Sequence, residues 1–241
     1  MIRKLLSRSA SVRNERDGKR NYEIQRIETF SDGVFAFAVT LLIVSLEVPK
    51  SFDELLTTMR GFLAFGISFF ILIMIWNEQH RFFRHYGLDD LWTLTLNGIL
   101  LFIVLFYVYP LKFLFTLMFR GMIYGSNNSP YEMKQTQVPA LMMIYSAGFI
   151  VIYFLFFLMY LHASRKSNEL GLSAVEKFDC KSSMYKELIM VITGISSFLT
   201  AALLKDNLVG FAGWIYFLLA PTITVYFTIR NKERRKLFPS T

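Results

Sequence analysis

The sequence is poor in the residues on which most catalytic and metal-binding sites depend. It has one cysteine and three histidines in 241 residues. The single thiol, Cys180, excludes a disulfide within one chain, and no cysteine or histidine set has the spacing of metal ligands. The motifs of zinc proteases, serine hydrolases and phosphate-binding loops are also missing. We therefore expect no enzyme activity, no metal site and no cofactor.

Charged residues are scarce as well. They make up 18% of the chain, against 54% hydrophobic residues with 25 phenylalanines, and the mean hydropathy is +0.41. This composition is too apolar for an ordinary soluble domain and is typical of a protein that crosses a membrane several times. Residues 1–25 are basic but have no apolar core and no small-residue cleavage site, so we expect a retained cytosolic arm and not a signal peptide.

Long apolar runs predict an all-α membrane protein. A bilayer core of about 30 Å needs about 20 mostly apolar helical residues, and the alternating pattern of a membrane β-barrel is missing. Six stretches are long enough or nearly so: residues 30–48, 61–77, 91–118, 138–162, 188–204 and 208–229. Pro110 lies inside the third. Lys205, Asp206 and Asn207 separate the last two, which predicts a tight helical hairpin.

The predicted organisation is a membrane domain over residues 26–229, with a cytosolic linker over 163–187 and a basic tail over 230–241. Of the 26 lysines and arginines, eight precede the first span, two follow the second, five follow the fourth and five follow the sixth. The other face carries only five. By the positive-inside rule both termini are cytosolic, and we expect a plasma-membrane location. The basic ends fit anionic lipid headgroups, and no nucleic-acid partner is expected.

The first span has two different faces. Projection at 100° per residue places Phe30, Gly33, Phe37, Leu41 and Val44 on one apolar stripe, with Thr40 at its border. Ser31 and Asp32 point away from this stripe. Thr40 either contributes its hydroxyl to that stripe or donates back to the carbonyl of Ala36.

Polar residues of three spans are expected to lie at the same depth. An aspartate inside a span costs about 2.5–3.5 kcal/mol on insertion scales, so Asp32 needs partners. The end of the second span supplies Trp76 and His80, and the start of the third supplies Asn97. We predict a packing cluster that joins Arg26, Ser31, Asp32, Trp76, His80 and Asn97, with a hydrogen-bonded core among Arg26, Ser31, Asp32, His80 and Asn97.

These same residues carry a family resemblance. "RIETFSD" fits the Arg-x-x-x-Phe-Ser-Asp signature of the transmembrane protein 175 family of potassium channels. "WNEQH" at the end of the second span, and a third span with an asparagine and a proline, extend the match. The chain resembles the bacterial branch of the family, which has one six-span repeat per chain.

The resemblance implies a homotetramer whose first helices line a potassium-permeable pore. The family signature residues Arg26, Phe30, Ser31 and Asp32 would then support packing around the pore. Phe37 falls where the family has a branched aliphatic residue at its constriction. Leu41 and Val44 follow on the next turns, and Thr40 matches a threonine of the pore region.

We therefore expect a potassium-permeable channel that is gated by the width and wetting of apolar rings, without a carbonyl selectivity filter. The expected partners are other copies of the chain, potassium ions and membrane lipid. Glu47 is expected at the outer mouth, where a ring of carboxylates would attract cations.

Two alternatives remain open from the sequence. The first is a proton- or ion-coupled secondary transporter that uses Asp32 and His80 as its coupling pair, although broken helices in matching halves are missing. The second is a non-conducting membrane scaffold.

Overall fold

A computed structural model describes residues 26–44, 49–119, 135–204 and 210–239. All regular secondary structure in these ranges is helical, as predicted. The helices are α1 (Arg26–Val44), α2 (Phe52–Arg60), α3 (Phe62–Tyr86), α4 (Leu91–Met118), α5 (Val138–Arg165), α6 (Ala174–Leu203), α7 (Gly210–Trp214) and α8 (Leu219–Leu237). Short 3₁₀ turns cover Gln135–Gln137 and Ile215–Leu218.

Local sequence signals fix several helix ends. Ser173 accepts a hydrogen bond from the backbone N–H of Glu176, whose side chain accepts one from Ser173, which is a capping box at the start of α6. Gly87 ends α3 with a φ of 54°, a left-handed conformation that glycine adopts without a Cβ clash. The chain can therefore turn sharply from α3 into α4.

Five helical segments are long and apolar enough to cross a membrane: Phe62–Tyr86, Leu91–Met118, Val138–Arg165, Ala174–Leu203 and Phe211–Leu237. The chain is thus a multi-pass membrane protein. The helix α1 is not among the five; it has 19 residues, with Arg26, Glu28 and Asp32 in its first two turns. The end of the predicted first span, residues 45–48, lies outside the described residues, as does the predicted turn at 205–207.

The structure moves two predicted boundaries. The third span coincides with α4, but α3 continues through Tyr86, and α6 begins at Ala174 instead of near residue 188. Residues 174–187 are too polar for an apolar-run criterion, yet their inward side chains Cys180, Ser182 and Glu187 are buried. Within the predicted linker 163–187, only residues 166–173 lie outside helices.

The last membrane segment changes helix type in its first half. Its residues Ile215–Leu218 form a 3₁₀ turn between α7 and α8. Pro221 is the third residue of α8, and its missing N–H removes the α-helical hydrogen bond to the carbonyl of Phe217. The proline therefore accounts for the change of geometry at this point.

The helices pack in two groups. The first group consists of α1, α3 and α4, which contact one another. The second is built on α5 and α6, which form the most extensive helix pair, with α7 and α8 packed on α6. Contacts between α4 and α5 join the groups, and one hydrophobic core with Leu100, Val104, Phe156 and Met159 runs through both.

A polar contact near one end of the bundle holds the two groups together. Asp90, which precedes α4, lies 2.8 Å from Nε2 of His162 on α5 and 3.6 Å from the ammonium of Lys166. Thr93 donates a hydrogen bond of 2.7 Å to its other oxygen. Partial burial opposes ionisation of Asp90, but these donors and positive charges outweigh it and hold its pKa below the usual value.

The close approach of α4 and α5 at Gly148 can be tested. A Cβ at Gly148 would overlap the ring of Tyr107, which is buried and donates a hydrogen bond to the Tyr145 carbonyl. We expect Gly148→Ala to lower the free energy of unfolding by about 1–3 kcal/mol, the usual cost of overpacking. Gly98→Ala on the open side of α4 is the matched control, since nothing lies within 4 Å of its Cβ position. Denaturation in detergent measures both, and equal stability of the two variants would contradict the packing.

Candidate functional site

The first helix, α1, has an inward face and an open face. The inward face consists of side chains that are buried against α3 and α4: Glu28, Ser31, Phe35, Ala38 and Leu42. The residues recur at intervals of three and four, as expected for one side of a helix. The opposite side is exposed in the single chain, and we define the open face by Gly33, Ala36, Phe37 and Thr40.

The open face lies close to the predicted apolar stripe but is rotated away from Leu41. Phe30 and Phe37 are 63% and 56% exposed, whereas Leu41 is only partly exposed and packs against the core. Thr40 donates a hydrogen bond of 2.9 Å to the Ala36 carbonyl, which is one of the two alternatives expected for its hydroxyl. The side chain of Val44, and Glu47 as a whole, lie outside what the structure describes.

A chain of hydrogen bonds joins the inward face to α3 and α4. Nδ2 of Asn97 donates to Oγ of Ser31 at 3.0 Å, and Ser31 donates to the Ile27 carbonyl at 2.7 Å. Nε2 of Gln79 donates to Oδ1 of Asn97 at 3.2 Å. Ser31, Gln79 and Asn97 are completely buried. This chain fixes α1 to α3 and α4 inside the bundle.

Asp32 and His80 are close in space but have different partners. Nε1 of Trp76 donates to Oδ1 of Asp32 at 2.7 Å, and the rings of Trp76 and His80 are stacked 5.3 Å apart. Nδ1 of His80 lies 3.3 Å from Oε1 of Glu28, without the alignment of a hydrogen bond. The predicted hydrogen-bonded core is thus wrong for Asp32, which accepts a hydrogen bond from Trp76 and not from His80 or Asn97.

Arg26 is exposed at the start of α1. Phe30 is exposed too, so it does not contribute to the buried part of the cluster within one chain.

Sequence reasoning missed Glu28 and Gln79. Glu28 was overlooked because it lies ahead of the apolar run, yet it is 4% exposed and begins the inward face. Gln79 lies between Trp76 and His80, the two residues of α3 that the sequence predicts in the packing cluster. Its spacing from Leu72, Ile75 and Phe82, which are all buried, is the signal that places it on the buried side of α3.

Comparison with known proteins gives the family. The family model of the endosomal/lysosomal potassium channel TMEM175 matches residues 26–107, a range that contains every residue of the hydrogen-bonded chain. A protein named potassium channel, from Marivirga tractuosa, is 39% identical over 223 residues, which cover 88% of this chain and 90% of the relative. The chain belongs to the TMEM175 family. A second relative of the same name, from Chamaesiphon minutus, is 38% identical over 36% of this chain and 47% of its own length.

Solved structures of TMEM175 proteins have the same fold. A point variant of the potassium channel MtTMEM175, crystallised with a nanobody fusion protein, is 36% identical and superposes with a TM-score of 0.78 over 89% of this chain and 96% of its own. The TMEM175 homologue from Chamaesiphon minutus, a lysosomal potassium-selective channel homologue, is 24% identical, with a TM-score of 0.56 over 85% of this chain and 96% of its own. The second likeness concerns the fold alone.

The hydrogen-bonded chain can be tested at its centre. Asn97→Leu keeps the approximate volume but leaves the Gln79 amide without its acceptor and Ser31 without its donor. We expect a loss of about 2 kcal/mol or more in unfolding free energy, because buried polar groups without partners are costly. Thr95→Val, on an exposed side of α4, is the control. If Asn97→Leu lowers the unfolding free energy in denaturant no more than Thr95→Val does, the hydrogen-bonded chain does not stabilise the fold.

Proposed function

We propose that this chain is the subunit of a homotetrameric, potassium-permeable channel whose pore is lined by α1. Two relatives that match it are named potassium channels, and the first of them is covered over 90% of its length. The open face of α1 is the observation that carries the assignment to this helix. It is a continuous, mostly apolar surface on a helix whose other side is fixed in the bundle.

The inward face supports a pore role because it fixes the orientation of the helix. The buried residues Ser31, Phe35 and Leu42 cannot turn away from the core without exposing apolar surface and breaking the bond to Asn97. Four copies arranged about an axis would therefore present Gly33, Phe37 and Thr40 to one another in a defined register. Rings of Phe37 would form the narrowest apolar part, which closes by width and dewetting.

The outer half of α1 has a second tether. The ammonium of Lys112 on α4 donates to the carbonyl of Leu42 at 3.0 Å. A cation near the C-terminal end of a helix interacts favourably with the helix dipole. This contact would hold the outer part of the pore helix against α4, while Val44 and Glu47 continue toward the proposed outer mouth.

The proposed topology has six spans, with α1 added to the five apolar segments. Basic residues at the predicted cytosolic positions support cytosolic termini and a plasma-membrane location. Residues 1–25 would form the cytosolic arm, residues 26–229 the channel domain and residues 230–241 the tail. The linker proposed over 163–187 would extend α5 and α6 beyond the membrane and turn between them at 166–173.

Potassium flux through reconstituted liposomes tests the pore assignment. We expect Phe37→Ala to raise potassium flux several-fold, because a smaller side chain widens and wets the constriction. Phe37→Trp is expected to lower it. Phe106→Ala is the control, since Phe106 is also an exposed phenylalanine, 69% exposed, but lies on α4. If Phe37→Ala and Phe106→Ala both leave flux and its block unchanged, α1 does not line the ion path.

The oligomeric state is tested separately. We expect native mass spectrometry of the detergent-solubilised protein to give four times the 28.1 kDa chain mass. A monomer or dimer under conditions in which reconstituted protein conducts potassium would overturn the tetramer. A monomer or dimer without conduction would favour the scaffold alternative instead.

A further inference from the structure

Three ionisable side chains are buried between α3 and α6, away from α1. The ammonium of Lys186 lies 2.6 Å from Oε2 of Glu78 and 2.7 Å from Oε1 of Glu187. Glu187 is completely buried, and the side chains of Lys186 and Glu78 are 15% and 13% exposed. We name these three residues the buried triad. Buried ionisable groups are costly, and they cluster at functional sites.

The charges of the buried triad do not balance if all three groups are ionised. Two carboxylates and one ammonium leave a net charge of −1 in the low-dielectric interior, where an uncompensated charge costs several kcal/mol. Tyrosines of α5 lie in this region: the hydroxyl of Tyr160 donates a hydrogen bond to Glu78, and Tyr153 lies two turns earlier on the same helix. These phenols add no positive charge. One more positive charge, or one proton, is therefore needed.

Hydrogen bonding shows which carboxyl group is suited to carry the proton. Glu78 receives the Tyr160 hydroxyl at 2.7 Å in addition to the Lys186 ammonium, which is what an ionised carboxylate requires. Neither oxygen of Glu187 has an aligned hydrogen-bond donor among the described residues, although Lys186 lies within ion-pair distance. Both carboxyl groups lie against the same ammonium, so a proton on Glu187 leaves one ionised carboxylate, Glu78, paired with Lys186. That arrangement makes the triad neutral.

We propose that the buried triad is a proton-binding site in which Glu187 carries the proton and Glu78 stays ionised beside Lys186. A proton is favoured over a metal ion because Lys186 already occupies the position between the carboxylates. In addition, the described residues contain no group of three His, Cys, Asp or Glu side chains able to hold a metal. The site joins α3, within the family-matched region, to α5 and α6 outside it. Loss of the proton would place a second negative charge at this junction and weaken the packing of α6 on α3.

Infrared spectroscopy of the intact protein in lipid nanodiscs tests the proposal directly. We expect the wild type at neutral pH to show the carbonyl stretch of a protonated carboxyl group that disappears in Glu187→Gln. The same band should be lost from the wild type on alkalinisation. Glu169→Gln is the matched control, because Glu169 is a 75% exposed carboxylate at the end of the neighbouring turn. A spectrum of Glu187→Gln identical to that of the wild type would overturn the proposal.

Thermal unfolding gives a second, independent measurement. Glutamine mimics a protonated glutamate, so Glu187→Gln should unfold at nearly the wild-type temperature at neutral pH and be less sensitive to alkaline pH. Glu78→Gln should unfold at a clearly lower temperature, since it removes the ionised partner of Lys186. The opposite order would assign the proton to Glu78 and overturn the assignment.

A wild-type unfolding temperature that rises with KCl, together with no carboxyl band, would show a bound cation in place of the proton. None of these readouts depends on channel activity.

Discussion

The rest of the structure depends on the burial of polar side chains from α1 in an apolar bundle. The hydroxyl of Ser31 is buried with two partners, since it donates to the Ile27 carbonyl and accepts from Asn97, to which Gln79 in turn donates. Inside a membrane protein such a chain is directional, since a rotation of α1 would break the bond from Asn97 to Ser31 and leave the buried Asn97 amide without its acceptor. The inward face of α1 is thereby fixed, and the open face is determined as its opposite.

Much of this arrangement could be predicted from the sequence because helix periodicity and span topology are simple. Periodicity placed Ser31 away from Phe37, and topology brought Asn97 and Trp76 to the depth of Asp32. The actual pairs could not be predicted, because depth does not give the direction in which a neighbouring helix presents its side chains. Asp32 therefore accepts its hydrogen bond from Trp76 and not from His80. The ring of His80 instead contacts Glu28, a residue just ahead of the apolar run. The start of α6 could not be predicted from apolar runs, because residues 174–187 are mostly polar although one side of this helical segment is buried.

The two helix groups are joined by polar contacts at several depths as well as by apolar packing. The charged contact of Asp90 with His162 lies at one end of α4, and the buried triad lies farther along α3 and α6. Apolar packing alone discriminates weakly between helix registers in lipid, where every surface is apolar. Paired charges specify a register, because a shift of one turn leaves each of them unpaired. The triad and the Asp90 contact thus fix α5 and α6 relative to α3 and α4.

Asp32 finally bears on what the open face of α1 contacts. It lies beside Gly33 at the edge of that face, and it is exposed in the single chain even though Trp76 donates to one of its oxygens. A carboxylate in contact with lipid tails costs about 2.5–3.5 kcal/mol on insertion scales. Thr40, farther along the same face, satisfies its own hydroxyl by back-bonding and so tolerates either an apolar or an aqueous contact. The beginning of the open face therefore needs water or another protein surface, and the proposed central pore shared by several α1 helices would supply both.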